Sequence, residues 1–322
     1  MHHVLTASKL IVAASVLAAA TFNSTAALAH RADAQQVGAT ATSSHQEHRT
    51  AGAAGQARVQ QRLRTLENEF DARIGAYAFD TGTSRVVGYR ANELFPMTST
   101  FKAMACAAVL HKARTADPGL MERVIQYTQD DLVDYSPITK EHVGTGMTVT
   151  KLCHATITVS DNTAGNLVLR QLGGPPGLTE YLRSLGDPRS RLDRYETALN
   201  DWQPGERRDT TTPALMAQDL RVVMTDALTA PDRDQMAEWL RANTTGAARI
   251  RAGLPVDWVV GDKTGTGGTY ATANDIAVVW PPNGAPIVIA VYTNRHTRDA
   301  TVNNEVVART ATALAEGLDL LH

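Results

Sequence analysis

Residues 95–102 read Phe95-Pro96-Met97-Thr98-Ser99-Thr100-Phe101-Lys102 and lead into an apolar run that ends at Leu110. A proline followed by hydroxyl residues ahead of such a run predicts the start of a helix. Because residues three apart lie on one helix face, we expect the Lys102 ammonium within hydrogen-bond reach of the Ser99 hydroxyl. This helix start separates strand-like sequence before it from helical sequence after it.

The pairing of Ser99 with Lys102 suggests a serine nucleophile. A free hydroxyl attacks poorly without a base, and a lysine serves as one only if burial or another cation lowers its pKa. The N–H groups at a helix start suit a developing oxyanion. Most S-x-x-K matches are only solvated helix starts, so the rest of the chain has to supply companions.

The two chain ends predict strands and amphipathic helices. Apolar residues recur at helical spacing near each end, and shorter runs rich in β-branched residues, separated by turn residues, predict strands. The predicted helices are 57–70 and 302–318, and the predicted strands are 73–80, 86–90, 259–263, 276–280 and 287–293.

The middle of the chain is mostly helical in pattern. We therefore predict an α/β (α+β) fold of two lobes within residues 57–322. A five-stranded antiparallel sheet flanked by helices is built from 57–94 and 243–322, and an all-helical lobe, 95–242, is inserted between them. Ser99 opens the inserted lobe, so we expect it at the cleft between the lobes, where ligand sites tend to occur.

The N-terminus has the pattern of a signal peptide. Basic residues precede a short apolar run, and Ala27-Leu28-Ala29 is a small-x-small cleavage site, so residues 1–29 are predicted to be removed. A membrane anchor is the alternative, but the run is short and broken by polar residues. Residues 30–56 are polar and predict a flexible segment. We expect an exported protein, periplasmic or secreted, without stable membrane association.

Composition excludes several classes of partner. The formal net charge is −2 and no basic block stands out, so we expect no nucleic acid. The histidines show no zinc-ligand spacing, so we expect no metal and no metallo-hydrolase. We expect a monomer that acts on a small molecule.

The two cysteines are predicted to pair in an exported protein. Cys106 follows Ser99 by seven residues, and Cys153 precedes Ser160 by seven. A Cys106–Cys153 bridge would tie the Ser99 helix to the Ser160 segment and add about 4 kcal/mol of stability by the chain-entropy model. Two buried free thiols are the alternative.

Two further motifs supply companions for Ser99. Ser160-Asp161-Asn162 is either a turn or helix cap, or it presents a proton-relaying serine and an amide that contacts substrate. Lys263-Thr264-Gly265-Thr266-Gly267 ends a strand. It is either a glycine-rich turn, or an edge that binds a carboxylate and an extended ligand.

A polar loop offers a second carboxylate. Glu196 and Asn200 are suited to hold a water and take its proton, which is general-base work. Arg194 and Asp209 are predicted to close the loop as an ion pair. A solvated surface loop is the alternative.

S-x-x-K, S-D-N, E-x-x-L-N and K-T-G occur in this order along the chain. The first, second and fourth are the established motif set of class A β-lactamases and penicillin-binding proteins. From about Val59 to the C-terminus the sequence resembles a class A serine β-lactamase. The resemblance implies the two-lobed fold, and hydrolysis of the β-lactam amide of penicillins and cephalosporins without a cofactor. It also implies β-lactam resistance.

The resemblance assigns catalytic roles. Ser99 attacks the lactam carbonyl, and Ser160 delivers a proton to the leaving nitrogen. Lys102 and Glu196 are both candidates for activating Ser99, and the sequence leaves that choice open. Glu196, with a water held by Asn200, drives deacylation.

The resemblance also assigns binding roles. Lys263, Thr264 and Thr266 face the substrate carboxylate. Family members often add an arginine there. Thr272 stands where many members carry it, so Arg249, the position used by other members, is predicted to take its place.

Three further features follow from the same resemblance. The backbone N–H groups of Ser99 and Thr266 form the oxyanion hole. Tyr135 forms an aromatic wall of the cleft, and Asn162 contacts the substrate side-chain amide. The two cysteines match the common structural disulfide of the family.

Two rival functions share the serine motifs. A penicillin-binding DD-peptidase forms the same acyl-enzyme but deacylates slowly, and the Glu196 loop argues against it. A β-lactam sensor binds without turnover and needs membrane segments and a partner domain, which the sequence does not show.

Overall fold

The computed structural model describes residues 52–321, so the predicted signal peptide and most of the predicted flexible segment lie outside the described residues. Helix α1 spans 52–70 and is followed by β1, Ala72–Asp80, and β2, Val86–Tyr89. Strands β7, Val259–Thr266, β8, Ala273–Trp280, and β9, Ile287–Arg295, precede the last helix, α8, Glu305–Gly317.

These five strands form one antiparallel sheet in the order β2-β1-β9-β8-β7. The two chain ends meet in its middle, where β1 pairs with β9 from Ala72 opposite Arg295 to Asp80 opposite Ile287. The predicted five-stranded antiparallel sheet is therefore confirmed, with β7 and β8 each three residues longer than the sequence pattern indicated.

Both faces of the sheet are buried, and successive side chains of a strand point to opposite faces. Along β9, one set of residues packs in the core with α1 and α8, and the alternate set packs in the core of the helical segment. The first set is Ile287, Ile289 and Val291, and the second is Val288, Ala290 and Tyr292. The near-continuous apolar run of this strand follows from that two-sided burial.

The segment between β2 and β7 carries the remaining helices. They are α2 Phe101–Thr115, α3 Val149–Thr158, α4 Asn162–Gln171, α5 Pro175–Ser184, α6 Pro213–Val222 and α7 Ala230–Arg241. Two short antiparallel pairs accompany them, β3 Phe95–Pro96 with β6 Thr210–Thr211, and β4 Val124–Ile125 with β5 Met147–Thr148. We propose 95–242 as the inserted lobe on this order of elements. Within residues 52–321, none of the helices combines the length and apolarity needed to span a bilayer.

The cysteines correct one prediction. Cys106 on α2 and Cys153 on α3 are fully buried and both are free thiols. Burial, and then the neighbouring Cys153, raise the pKa of the Cys106 thiol well above its ordinary value. The two residues are buried free thiols in this structure, which is the alternative the sequence left open, and the predicted disulfide is not formed.

A pair of buried carboxyl groups links α6 to the segment after α5. Asp219 faces Asp187, whose Oδ1 accepts the backbone N–H groups of Arg189 and Ser190. Burial, and then the Asp187 carboxylate, raise the pKa of Asp219 to about 9. Near neutral pH the pair therefore holds a proton on Asp219.

Asp219→Asn should make stability less dependent on pH. The unfolded Asp219 carboxyl ionises near pH 4, whereas the folded one keeps its proton to about pH 9. Because the native state binds more protons, this group makes wild-type stability fall across that window, by about 1.4 kcal/mol per pH unit at most. Urea unfolding should show the variant gaining on wild type between pH 5 and 8. The exposed Asp226→Asn is the control, and equal pH slopes would contradict the assignment.

Candidate active site

The Ser99 turn is held against the sheet by β7 and β8. Ser99 lies in a 3-10 turn, Thr98–Thr100, directly ahead of α2, so the predicted helix start is confirmed. Asn274 on β8 donates from Nδ2 to Pro96 O at 2.8 Å and to Thr98 Oγ1 at 3.1 Å. A Cβ at Gly265 on β7 would lie 2.1 Å from Thr98 Oγ1 and 3.2 Å from Ser99 N. Glycine is therefore required where the strand passes the serine.

The Ser99 hydroxyl donates directly to Glu196 Oε1 at 2.9 Å. Lys102 Nζ lies 3.1 Å from the same oxygen, and both charged side chains are fully buried. Lys102 also donates to Asn162 Oδ1 at 2.5 Å and to Ser160 O at 2.8 Å. Burial lowers the pKa of the Lys102 ammonium, and the Glu196 carboxylate opposes that effect.

The expected direct bond between Lys102 and Ser99 is absent from the hydrogen bonds of residues 52–321. Ser99 and Lys102 both contact Glu196 Oε1, so the carboxylate links the two side chains. The physical reason is that a buried ammonium needs strong acceptors, and a carboxylate, an amide oxygen and a backbone carbonyl are better ones than a hydroxyl.

Ser160 bridges two lysines. It lies between α3 and α4 with φ of 60°, and its Oγ is 3.3 Å from Lys102 Nζ and 3.0 Å from Lys263 Nζ. Asp161 fixes this turn. Its carboxylate caps α4 by accepting Ala164 N at 2.8 Å.

Asn162 and Tyr135 form the neighbouring wall. Asn162 Nδ2 donates to Asp134 O at 2.8 Å while its Oδ1 accepts from Lys102. Tyr135 is 62% exposed and has a φ of 61°. An exposed aromatic side chain in a left-handed backbone conformation is unusual outside functional sites.

Residues 185–209, the Glu196 loop, are tied to α4 and closed on themselves. Asn166 Nδ2 donates to Glu196 O, and Glu196 N donates to Asn166 Oδ1, each at 2.9 Å. Arg194 Nε and Asp209 Oδ2 form the predicted ion pair at 2.6 Å. Asn166 was not singled out from the sequence, because its bonds to Glu196 span thirty residues and no local sequence pattern indicates them.

Asn200 presents a free acceptor beside Glu196. Its Nδ2 donates to Glu196 Oε2 at 2.6 Å. Its Oδ1 is buried and has no hydrogen-bond partner among the described residues. A buried polar atom without a partner is a place where a bound water is expected.

The cationic end of the site contains Lys263 and Arg249. Lys263 Nζ donates to Thr264 O at 2.7 Å, and burial, then the Lys102 charge, lower the pKa of Lys263 to about 7. Arg249 is 5% exposed and donates to Thr266 Oγ1 and to Asn274 O, each at 2.6 Å. The predicted arginine therefore reaches β7 at Thr266.

These side chains surround one cleft of about 360 Å³. Its lining residues are Ser99, Tyr135, Ser160, Asn162, Asn200, Thr245, Arg249, Thr264 and Thr266. Lys102, Glu196 and Lys263 are buried and reach the cleft through their bonds to Ser99 and Ser160. Thr245 was missed from the sequence. Its hydroxyl meets the Thr264 hydroxyl at 2.5 Å.

Comparisons with known proteins show which family the chain resembles. Residues 58–318 match the family model described as the beta-lactamase enzyme family. The chain is 54% identical to beta-lactamase AST-1 of Nocardia asteroides, over 80% of this chain and 83% of that one. It is 49% identical to the carbapenem-hydrolyzing beta-lactamase KPC of Klebsiella oxytoca, over 79% and 86% respectively.

Solved structures give the same result. The crystal structure of a beta-lactamase from Streptosporangium roseum matches with a TM-score of 0.81 and 58% identity, over 82% of this chain and 100% of that one. Because the family model covers most of the chain and these relatives are about half identical to it, this protein belongs to the class A serine β-lactamases, which hydrolyse β-lactams.

Proposed function

We propose that this enzyme opens penicillins and cephalosporins through an acyl-enzyme on Ser99 and that a water activated by Glu196 releases the product. The observation that carries the proposal is the hydrogen bond from Ser99 Oγ to Glu196 Oε1 at 2.9 Å, with Lys102 Nζ 3.1 Å from the same oxygen. Nucleophile, base and a charge that orients the base are thereby in contact.

In acylation, Glu196 is the better placed of the two candidate bases. The Ser99 proton already lies on the line to Glu196, while the Lys102 ammonium is occupied by three residues other than Ser99. Ser99 Oγ bonds to the lactam carbonyl carbon as its proton passes to Glu196. The oxyanion that forms is stabilised by the backbone N–H groups of Ser99 and Thr266.

Ring opening needs a proton on the lactam nitrogen. Ser160 supplies it as the carbon–nitrogen bond breaks, and an adjacent ammonium, Lys102 or Lys263, replaces it on Ser160. A hydroxyl held between two ammonium groups favours proton delivery in this direction.

Deacylation uses the other side of Glu196. A water that donates to the unpaired Asn200 Oδ1 would lie next to Glu196 Oε2, because Asn200 Nδ2 is bonded to that oxygen. The proton that Glu196 took from Ser99 first passes to Lys102, 3.1 Å away, and restores the ammonium that reprotonated Ser160. Glu196 then takes a proton from the water as the hydroxide adds to the ester carbonyl, and it gives that proton back to Ser99 Oγ as the ester bond breaks. This step separates a β-lactamase from a penicillin-binding protein or a sensor.

Substrate recognition is assigned to the walls of the cleft. Lys263, Thr264, Thr266 and Arg249 bind the substrate carboxylate. Tyr135 and Asn162 contact the side-chain amide region, as the family resemblance implies.

Arg249→Gln should raise KM about tenfold with little change in kcat. A charge-assisted bond to the carboxylate exists in the ground state as well as the transition state, and one such bond corresponds to roughly a factor of ten. Steady-state kinetics with benzylpenicillin measure this. Arg249→Lys should retain part of the affinity, and the exposed Arg241→Gln is the control. An unchanged KM in a folded Arg249→Gln protein would remove Arg249 from the site.

The pH profile should reveal Lys263. Its pKa is about 7, so the ammonium that attracts the carboxylate is present below that pH and lost above it. We expect kcat/KM to fall as the pH rises from 7 to 9, since this ratio reports ionisations of the free enzyme. Lys263→Arg stays charged over the whole range and should remove the decline. Parallel profiles for the two proteins would contradict the assignment.

Intact-mass spectrometry of protein mixed with benzylpenicillin, with substrate loss followed in parallel, tests the proposal. Rapid loss with a fleeting adduct supports turnover through Ser99. A persistent adduct of one penicillin without turnover would indicate a penicillin-binding protein or sensor instead.

We also propose export as a monomer to the periplasm or the medium, where the enzyme confers β-lactam resistance. The support is the leader-like sequence of residues 1–29. The mass of the protein recovered from the medium or periplasm tests it, because cleavage after Ala29 leaves His30 as the first residue.

A further inference from the structure

A second cavity, of about 550 Å³, lies between the Glu196 loop and the end of β9. One wall is the loop, represented by Arg189, Trp202 and Arg207. The other wall includes Arg73 on β1 and Arg295 at the end of β9. None of these residues belongs to the catalytic cleft.

The cavity carries an excess of positive charge. Its two carboxylates are already paired, Glu93 with Arg73 at 2.8 Å and Glu206 with Arg208 at 2.6 Å. By contrast, the ion pairs of residues 52–321 include none of its other three arginines, Arg189, Arg207 and Arg295. Three uncompensated guanidinium groups therefore line one cavity.

Most of the donors on these arginines are unused. Arg189 Nη1 donates to Asn92 O at 3.2 Å, and Arg295 Nε donates to Asp71 O at 2.9 Å. The Arg207 side chain makes no hydrogen bond to another described residue. Guanidinium groups offer five N–H donors in a planar fork that matches carboxylate and phosphate groups.

The loop wall is anchored to the catalytic strand. Trp202 is 5% exposed, donates from Nε1 to Glu206 O at 3.2 Å, and meets the Tyr270 ring edge-on at 5.8 Å. Trp202 O accepts the Thr269 hydroxyl at 2.6 Å. Thr269 lies in the turn between β7 and β8. Trp202, which lines the cavity, is therefore held in place by its contacts with this turn.

We propose that this cavity is a second ligand site, which binds a small multivalent anion carrying two or more carboxylate or phosphate groups. Each arginine can form a charge-assisted, bidentate pair with one carboxylate or phosphate group. A ligand with several such groups can therefore pair with several of the unpaired arginines in this cavity at once. The volume is that of a small-molecule site. A ligand that joins Arg207 on the loop to Arg295 on the sheet holds the loop against the sheet.

Calorimetric titration tests the site with two probes, inorganic pyrophosphate and citrate. We expect the wild-type protein to bind the probes. The single variants Arg207→Gln and Arg189→Gln should each raise Kd about tenfold. Arg62→Gln, an exposed change of the same charge on α1, should leave Kd unchanged. Binding of both probes, or of one alone, supports the site and shows whether carboxylate or phosphate groups suffice.

Two outcomes would overturn the proposal. One is no binding of either probe at about 10 mM, roughly ten times the Kd of a weak millimolar site. The other is binding that survives Arg207→Gln but is lost in Arg249→Gln, which would place the anion in the catalytic cleft.

Hydrogen exchange supplies a readout that does not depend on a variant. Amides in residues 202–207 should exchange several-fold more slowly when pyrophosphate is bound, because the ligand joins the two walls. Amides in α1 should be unaffected. Unchanged exchange in 202–207 under saturating pyrophosphate would show that the anion does not bridge loop and sheet.

Discussion

Glu196→Gln should convert the enzyme into a stable penicillin adduct on Ser99. The amide retains the volume of the carboxylate and can still contact Asn200, but it accepts no proton from water. General-base catalysis contributes about 10²–10⁴-fold, so we expect turnover to fall by that factor while the acyl-enzyme persists. Because Ser99 Oγ donates to Glu196 Oε1, adduct formation should also slow. Stopped-flow acylation, followed by intact-mass measurement over hours, separates the two steps.

Glu206→Gln provides the matched control for this experiment. Glu206 lies on the same loop and its carboxylate is held by Arg208, outside the catalytic cleft. It should hydrolyse benzylpenicillin at nearly the wild-type rate. Adduct breakdown in Glu196→Gln at the wild-type rate would show that another group activates the water.

Lys102→Met should slow acylation so that no adduct accumulates, which is the opposite phenotype to that of Glu196→Gln. The methionine fills a similar apolar volume but removes the charge that lies 3.1 Å from Glu196 and the donor to Ser160 and Asn162. Glu196 then loses its orienting cation, and Ser160 loses one of its two ammonium neighbours. We expect kcat/KM to fall about 10²–10⁴-fold with no acyl-enzyme accumulating, because acylation has become limiting.

The control for Lys102→Met is Lys112→Met on the same helix. Lys112 donates to Gln171 O at 2.6 Å, away from the cleft, so its loss should leave the acylation rate nearly unchanged. Accumulation of adduct in Lys102→Met, as in Glu196→Gln, would show that Lys102 serves deacylation instead. Circular dichroism of both variants distinguishes a catalytic effect from unfolding.

The sheet was predictable because its signal is local. Alternation and turn residues marked all five strands, and antiparallel pairing of the two chain ends followed from their pattern. The strand ends were less well defined. β7 continues to Thr266, beyond the Lys263 limit set by the apolar pattern, because backbone pairing with β8 extends through the polar residues of the site.

The site was predictable where several residues of one motif act together. Ser160 and Lys263 meet across 103 residues of sequence, and the motif set anticipated their meeting. What it could not supply was the choice among acceptors. The sequence predicts a bond between Lys102 and Ser99. The Lys102 ammonium instead contacts Glu196 and Asn162, because the fold brings these acceptors to it from other elements.

The close passage of Gly265 beside the Ser99 turn restricts how this enzyme can diversify. Any side chain there would force the strand away from the nucleophile, so we expect substitutions at that position to be eliminated. Gly268, two residues past the end of β7, has open space around its missing Cβ. Sequence drift along this stretch is therefore expected in the turn after β7, three residues beyond a position that cannot vary.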